Sequence, residues 1–563
     1  MEFKWKQKEK PDEKIVSSLE KSLSVPHKIA WILAQRGITS YDEAENYFRP
    51  KLSDLHDPFL MKDMDMAVKR LETALMNDEN VMVYGDYDVD GTTAVSVVYS
   101  FLQGYSNKVS YYIPDRYDEG YGISKLGIDF AKEKKITLII ALDCGIRSVE
   151  LVAYAKSLGI DFIICDHHLP GDELPDAVAV LDPKRADATY PFKELSGCGI
   201  GFKLVQAFNQ KNNREVDTLY EYLDLVVVSI ASDIVEMNGE NRILAYFGLK
   251  QINESPRIGI QALLNTYKQK SNYSISDIVF GLGPKINAAG RIADAGAAVK
   301  LLIEKDFHEA VTFTKVLLER NTERQGLDSG ITQEALEMLK ADKDLEKKSV
   351  TVIYGKEWHK GVIGIVASRL IENYYKPTIV LTENDGIMSG SARSVKGFDI
   401  HDAIEQCSEL LLQYGGHKYA AGLSLKSENF EAFKNKIEKI VADGINEDLK
   451  VPEIEYDAVI DIDDVSPKML RILGQMEPFG PGNMKPIFRT NDIQDTGFAK
   501  VLKEKHLKIS TKNKRQRIDA IGFGMAHVYN KVTQGKPFNA CYTIEENEYN
   551  GQKNIQLNLK DIK

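Results

Sequence analysis

Val81-Met-Val-Tyr-Gly85 runs directly into Asp86-Tyr-Asp88-Val-Asp90-Gly91. The same pattern, an apolar run ending in acids, recurs twice. Thr137-Leu-Ile-Ile-Ala-Leu142 leads into Asp143-Cys144-Gly145, and Asp161-Phe-Ile-Ile-Cys165 leads into Asp166-His167-His168. Short apolar runs bounded by turn signals, alternating with helical stretches, predict a parallel sheet. The alternation continues to about Met237. Helices are expected over residues 92–102 and 148–158, a short strand over 177–181, and an apolar helix or strand over 217–232 that ends at Asp233. Open α/β sheets bind ligands outside the carboxyl ends of their strands, where these acids and imidazoles fall. Without a cation, so many neighbouring carboxylates would repel one another and take up protons.

Two alternative readings of the first acidic stretch fail. Asp86-x-Asp88-x-Asp90-Gly91 opens like an EF-hand loop, but the twelfth position is Val97 rather than Glu, and a strand precedes it. A phosphate-cradling P-loop would need Gly-Lys-Ser/Thr after the strand, and none follows. A hydrolytic site for two metal ions fits better. Hard oxygen ligands suit Mg²⁺ or Mn²⁺, and a mixed Asp/His shell leans toward Mn²⁺. Asp86, Asp88, Asp90, Asp143, His167 and Asp233 supply the groups such a pair requires.

The 563-residue chain is long enough for several domains. Residues 1–55 read as an N-terminal helical segment and 56–305 as the first α/β domain. Residues 306–345 read as a connecting helix, with a cleft expected between the two lobes it joins. A second α/β lobe spans 346–450. It begins at Ser349-Val-Thr-Val-Ile-Tyr354 and carries a Gly/Ser turn at Ser389-Gly-Ser-Ala-Arg393. Residues 451–563 break into short β-like segments, which fits a small β-barrel.

Apolar content of 43% and charged content of 28% describe an ordinary globular chain. It contains no run of about 18 apolar residues that could span a membrane. The start, Met-Glu-Phe-Lys-Trp-Lys, lacks an apolar signal core, so a cytoplasmic location is expected. Five scattered cysteines without a CxxC pair argue against disulfides and zinc ribbons. The net charge of −11 disfavours nucleic acid on average, with one local exception. Residues 500–517 hold eight Lys/Arg, including Lys512, Lys514, Arg515 and Arg517, against the single acid Glu504.

Asp86-Tyr-Asp-Val-Asp-Gly91, Asp143-Cys-Gly145, Asp166-His-His168 and Ser232-Asp233, in this order and spacing, resemble the four motifs of the DHH phosphoesterase family. Gly415-Gly416-His417 resembles the signature of the DHH-associated domain. Gly283-Pro-Lys-Ile-Asn-Ala-Ala-Gly-Arg291, Trp358-His-Lys-Gly-Val-Ile-Gly364, Ser389-Gly-Ser-Ala-Arg393 and Pro478-Phe-Gly-Pro-Gly-Asn483 are similar to one branch of that family. Its members are bacterial single-strand-specific 5′→3′ DNA exonucleases. The resemblance covers nearly the whole chain. It implies a DHH core, a DHH-associated domain and a C-terminal OB-type barrel.

Carried over residue by residue, the resemblance implies Asp88, Asp90, Asp143, His167 and Asp233 as ligands of two Mn²⁺ or Mg²⁺ ions. Some relatives place a histidine four residues before the first acid of the Asp-x-Asp pair. Tyr84 stands there in this chain, which leaves Asp86 as the substitute. His168 would face the scissile phosphate, and Asp166 would orient an imidazole. A 5′-phosphate is read best by Arg forks and hydroxyls, for which Arg116, Arg291 (after a Gly-containing turn), Ser391 and Arg393 are candidates. His417 would contact substrate from the second lobe, with Arg324 and Gln325 on the connecting helix. Tyr87, Tyr117 and Tyr121 could stack on bases. The basic stretch with Lys512, Lys514 and Arg515 would follow the backbone of single-stranded DNA. The resemblance further implies a monomer acting with a single-strand-binding protein and a RecQ-type helicase. Two rival readings are a DHH enzyme acting on oligonucleotides or cyclic dinucleotides, and a non-catalytic DNA-replication scaffold.

Overall fold

The computed structural model describes residues 2–267, 270–292, 294–512, 516–549 and 552–563. The chain forms two compact units. One comprises Pro11–Asn321 and Ser466–Lys485. The other comprises Thr322–Val465 and Pro486–Lys563, together with the N-terminal residues through Lys10.

The first unit is built on a five-stranded, wholly parallel sheet. Its order is Val109–Tyr112, Val81–Gly85, Leu138–Leu142, Asp161–Cys165, Ala179–Leu181. The chain leaves Val81–Gly85 to one side and returns on the other. The crevice between the ends of Val81–Gly85 and Leu138–Leu142 is therefore a topological switch point. Both faces are covered, so the central strands are apolar at consecutive positions rather than alternating. Val81 and Val83 join the core beneath the helices Val89–Leu102, Gly197–Lys211 and Leu223–Ser232. Met82 and Tyr84 face the opposite core with Ile139 and Ile164. The stretch ending at Asp233 is thus a helix, preceded by a 3₁₀ segment Val216–Tyr222.

Gly283–Ile292 is also helical, and Arg291 lies in its last turn. The expectation of a turn before Arg291 is thereby corrected: the glycines lie inside helical structure, where Gly290 lets the helix approach the Tyr87 carbonyl. The helical expectation for residues 1–55 holds for Glu13–Leu23, His27–Gln35 and Tyr41–Phe48 but omits a strand. Lys4–Gln7 pairs in parallel with Glu453–Tyr456, and the Trp5 indole donates to Asp561. Phe3-Lys4-Trp5-Lys6 alternates apolar and charged residues, but the run is short and its partner strand lies far along the chain.

Helix Phe307–Ala341 is 35 residues long and runs from the first unit into the second. The second unit contains a five-stranded sheet ordered Gln413–His417, Ala420–Lys426, Ile387–Arg393, Thr378–Asn384, Thr351–Tyr354. Ser389–Arg393 is therefore strand, not turn. Gly390 is needed there because Leu381 and Leu423 of the flanking strands occupy the space a side chain would take.

The C-terminal sheet has seven strands. It is OB-like but is not the closed barrel expected. Phe488–Asp495 is bent by a bulge between Thr490 and Ile493 and returns to His506–Lys512 over two residue pairs, Gln494–Lys512 and Asp495–Thr511. Ala458–Val459 and Lys500–Leu502 remain as edges. Among the described residues, no helix is long and apolar enough to cross a membrane.

Candidate metal centre and substrate groups

The strand ends deliver the acids to one place. Asp86 follows Val81–Gly85, and Asp88 caps helix Val89–Leu102 by accepting from Gly91 N at 3.0 Å. Asp90, in the first turn of that helix, is buried among three donors: Gly197 N at 2.7 Å, Cys198 N at 2.8 Å and Ser229 Oγ at 2.6 Å. Asp143 follows Leu138–Leu142 with φ +59°, a left-handed conformation uncommon outside glycine. It packs so tightly on Gly197 that a Cβ there would lie 2.6 Å from its own Cβ. Asp233 ends helix Leu223–Ser232.

His167 joins these elements. Its Nδ1 lies 3.1 Å from the carbonyl of Leu195, which can only accept, so Nδ1 holds the proton and Nε2 presents its lone pair. That lone pair faces Asp143 Oδ1 at 3.2 Å, Asp233 Oδ2 at 3.6 Å and Asp90 Oδ2 at 3.8 Å. Asp143 Oδ1 is buried without a hydrogen-bond partner among the described residues. Asp86, Asp88 and Asp143 form an adjoining group in which one oxygen from each lies within 4.8 Å of the others. Burial, then the charges of neighbouring acids, drives the Asp86 and Asp143 carboxyls well above the usual range, raises Asp88, and pushes Asp233 up to about 8. Asp86, Asp90 and Asp143 are buried, Asp88 is half-buried and Asp233 opens to solvent. Lone pairs facing lone pairs in such a cluster are the arrangement a cation resolves, and the hard donor set suits Mn²⁺ or Mg²⁺.

A pH dependence follows. A carboxyl raised by folding keeps a proton that the unfolded chain has lost above about pH 4. Stability from this source is complete at low pH and declines as pH rises toward the folded value, about 8 for Asp233. Metal-free protein is expected to melt at a lower temperature at about pH 8.5 than at about pH 6. Mn²⁺ should raise the melting temperature more at the higher pH. Scanning calorimetry with and without Mn²⁺ checks this, and a pH-independent increment would contradict it.

Asp166 and His168 have different surroundings. Asp166 Oδ1 accepts from His168 Nδ1 at 2.7 Å and from the backbone of His167 at 2.8 Å, while Oδ2 accepts from Ile146 N at 2.9 Å. Burial opposes charge on both side chains. It is the largest single influence on each, but their hydrogen bond, their mutual charge attraction, the Ile146 N–H and neighbouring acids together outweigh it, holding Asp166 below the usual carboxylate range and His168 above the usual imidazole range. Burial instead lowers His167. The Tyr121 hydroxyl lies 3.2 Å from His168 Nε2 and from the carbonyl of Asp143. This contact escaped the sequence, where Tyr121 was only one aromatic among several.

Arg116 is half-buried and stacks 4.9 Å over the Tyr87 ring, which meets Tyr121 edge to face. The Tyr117 hydroxyl donates to the Arg291 carbonyl. These groups line the loops that follow the strands of the first sheet.

In the second unit, Ser391 and Arg393 lie on one strand, with Arg393 Nη1 donating to Ser391 Oγ at 3.0 Å. Both side chains reach the start of helix Ile363–Asn373. A Cβ on Gly364 would lie 2.9 Å from Arg393 Nη2 and from Ser391 Oγ, which explains the last glycine of Trp358-His-Lys-Gly-Val-Ile-Gly364. Ala420 pairs with His417 on one side and Arg393 on the other, so these two residues share one end of the sheet. Arg324 lies 4.0 Å from the buried Asp328, which also holds Arg369 at 2.6 Å.

On the OB-like sheet, Lys512 is exposed and ends its strand, while Lys514 and Arg515 lie outside the described residues. Arg517 stacks 4.6 Å from the exposed Phe498 ring, and His506 meets the exposed Phe523 edge to face. Neither phenylalanine was anticipated. The available signal was glycine beside each: Gly497-Phe498 and Gly522-Phe523-Gly524 hold aromatics in turns.

Comparison with known proteins agrees with this anatomy. The family model for the DHH family, N-terminal domain, matches residues 80–230, the DHHA1 domain matches 347–443, and the RecJ OB domain matches 456–561. The single-stranded-DNA-specific exonuclease RecJ of Bacillus subtilis (strain 168) is 36% identical, over 98% of this chain and 70% of that protein. The enzyme of the same name from Salmonella typhimurium is 33% identical over 96% of both. The crystal structure of RecJ in complex with Mn²⁺ from Thermus thermophilus matches with a TM-score of 0.85 at 26% identity, covering 100% of this chain and 79% of that one. The Mg²⁺ complex from the same organism matches with a TM-score of 0.79 at 25% identity, covering 100% and 78%. The chain belongs to the RecJ family of DHH phosphoesterases.

Proposed function

We infer that the protein is a metal-dependent exonuclease specific for single-stranded DNA, working 5′→3′ and releasing 5′-mononucleotides, with Mn²⁺ or Mg²⁺ as cofactor. The observation that carries this reading is the unprotonated Nε2 of His167, faced by three carboxylates whose surroundings favour a cation. Two ions held by Asp86, Asp88, Asp90, Asp143, His167 and Asp233 would neutralise phosphate charge and lower the pKa of the attacking water.

The remaining work falls to the chain. Asp166 keeps His168 charged and fixed through Nδ1, which leaves Nε2–H to donate to a non-bridging or leaving oxygen. Arg116 on Tyr87, with Arg291, offers guanidinium groups to phosphates of the strand. Ser391 and Arg393, with the N-terminus of helix Ile363–Asn373, suit a terminal 5′-phosphate, and His417 shares that end of its sheet. Phe498, Phe523 and the basic stretch with Lys512, Lys514 and Arg515 would hold the incoming strand by stacking and charge.

The match to the RecJ OB domain favours DNA over short oligonucleotides or cyclic dinucleotides. The complete set of acids weighs against a non-catalytic scaffold. In this reading the protein is a cytoplasmic monomer of DNA repair and recombination, supplied with strands by a RecQ-type helicase and a single-strand-binding protein.

Chelation should silence the protein on single strands, Mn²⁺ or Mg²⁺ should restore it, and blunt duplex should survive. Equal degradation of duplex would contradict the reading. Replacing Lys512, Lys514, Arg515 and Arg517 by Ala is expected to flatten the salt dependence of strand binding, by about 0.7 in log–log slope for each phosphate no longer neutralised. Phe498→Ala and Phe523→Ala should each weaken binding by about 1–3 kcal/mol. Fluorescence anisotropy across salt concentrations reads both, and an unchanged slope would mark the basic stretch as solvated surface only.

A further inference from the structure

Pro478-Phe-Gly-Pro-Gly-Asn483 has no part in the metal cluster or the groups that would grip DNA. It lies in Ser466–Lys485, the stretch that packs with Pro11–Asn321, and follows helix Pro467–Gln475. The turn closes on itself: Gly480 N donates to Asn483 O at 3.2 Å, and Asn483 N donates to Gly480 O at 2.9 Å. The Asn483 side chain is buried. Its Nδ2 donates to Met476 O at 3.0 Å and Pro478 O at 2.7 Å. Its Oδ1 accepts from the Tyr47 hydroxyl at 2.8 Å and from the Arg36 guanidinium. Buried Arg242 adds bonds to Met476 O at 3.1 Å and Pro478 O at 3.3 Å, with its guanidinium 4.0 Å over the Tyr47 ring. Such a buried network resists rearrangement, since losing one member leaves its partners unsatisfied. Within it, Arg242 Nε is buried without a hydrogen-bond partner among the described residues.

This turn holds the loop that carries Asp233. Pro481 O accepts from Met237 N at 2.6 Å, and Gly480 packs directly on the Met237 side chain. Between Asp233 and Met237, Ile234 has φ +59° and is exposed. A β-branched residue in the left-handed region is strained, and an exposed side chain offers no packing to compensate. Such a conformation persists only where its surroundings impose it. Helix Leu223–Ser232 fixes one end of the loop through Asp233 N to Ser229 O at 2.9 Å. Met237 on Pro481 fixes the other, helped by Asn241 Nδ2 to Glu236 O at 3.0 Å.

We propose that the turn at residues 478–483 is a clamp that sets Asp233 in the cation-binding cluster, with Asn483 as its positioning residue. The proposal rests on the reading of Asp233 as a ligand. The test is Mn²⁺ titration by calorimetry of the full-length protein, beside steady-state kinetics on a 5′-phosphorylated single strand. Asn483→Ala is expected to weaken Mn²⁺ binding about 10–100-fold and to lower kcat similarly, with KM for the strand unchanged. Adding Ile234→Asn, which tolerates the left-handed conformation, should recover most of the lost Mn²⁺ affinity. A merely structural role would give no such rescue. If Asn483→Ala does not fold, Gly480→Ala reads the same contact, because its Cβ would lie 3.0 Å from the Met237 Cβ while the Asn483 bonds stay in place. Wild-type Mn²⁺ affinity in the folded clamp variants, with Asp233→Ala impaired, would overturn the clamp alone. Wild-type affinity in Asp233→Ala would overturn the ligand reading beneath it.

Discussion

Asp143→Ala is expected to abolish strand degradation while leaving single-strand binding intact. Asp143 belongs to both acid groups: its Oδ1 faces His167 Nε2 at 3.2 Å, and it adjoins Asp86 and Asp88. Its strained backbone and its contact with Gly197 leave little freedom for another side chain to take its place. Removing it would withdraw a ligand from either ion. Several kcal/mol of charge stabilisation would go with it, or a rate loss on the order of 10³-fold or more. The groups expected to hold the strand, Arg393 and the basic stretch, are untouched by the change. Anisotropy should give a near wild-type dissociation constant, and calorimetry should show Mn²⁺ binding lost. Retained turnover would remove Asp143 from the site.

His168→Ala is the second large effect, and it should differ in kind. Its Nδ1 is held by Asp166 and its Nε2 lies beside Tyr121; donation is the part proposed for it, although one of its ring nitrogens also lies within 4.8 Å of ligand atoms of Asp143 and His167. Loss of a positioned acid costs on the order of 10²–10⁴-fold in kcat. Mn²⁺ affinity should stay near wild type in His168→Ala and collapse in His167→Ala. Asp166→Asn should fall between them, about 10–100-fold, because it releases both the ring and the backbone of the pair. Equal loss of Mn²⁺ in the two histidine variants would make His168 a ligand and overturn this division.

The metal cluster was legible because its geometry is local. Each acid but Asp233 stands within a few residues of an apolar strand, and parallel strands bring their carboxyl ends together. Asp233 was marked by the apolar run before it, although only the structure assigns that run to a helix. Features set by distant partners were not legible. Lys4–Gln7 becomes a strand only because Glu453–Tyr456 accepts it. Ser389–Arg393 reads as a turn from its glycine and serines, yet Leu381 and Leu423 on neighbouring strands make it the middle of a sheet. The bulge that bends Phe488–Asp495, so that its end reaches His506–Lys512, depends on its pairing with Phe538–Tyr549. The link from Pro481 to Met237 joins segments far apart in sequence, and neither end advertises the other.

The metal centre is expected to serve a 5′ single-stranded end. One oligonucleotide, 5′-phosphorylated and labelled at either its 5′ or its 3′ end, tests it in a Mn²⁺ time course. The 5′ label is expected to appear at once as mononucleotide, while the 3′ label passes through a ladder of shortening strands. Early release of 3′ label as mononucleotide, or cleavage confined to dinucleotides, would contradict it.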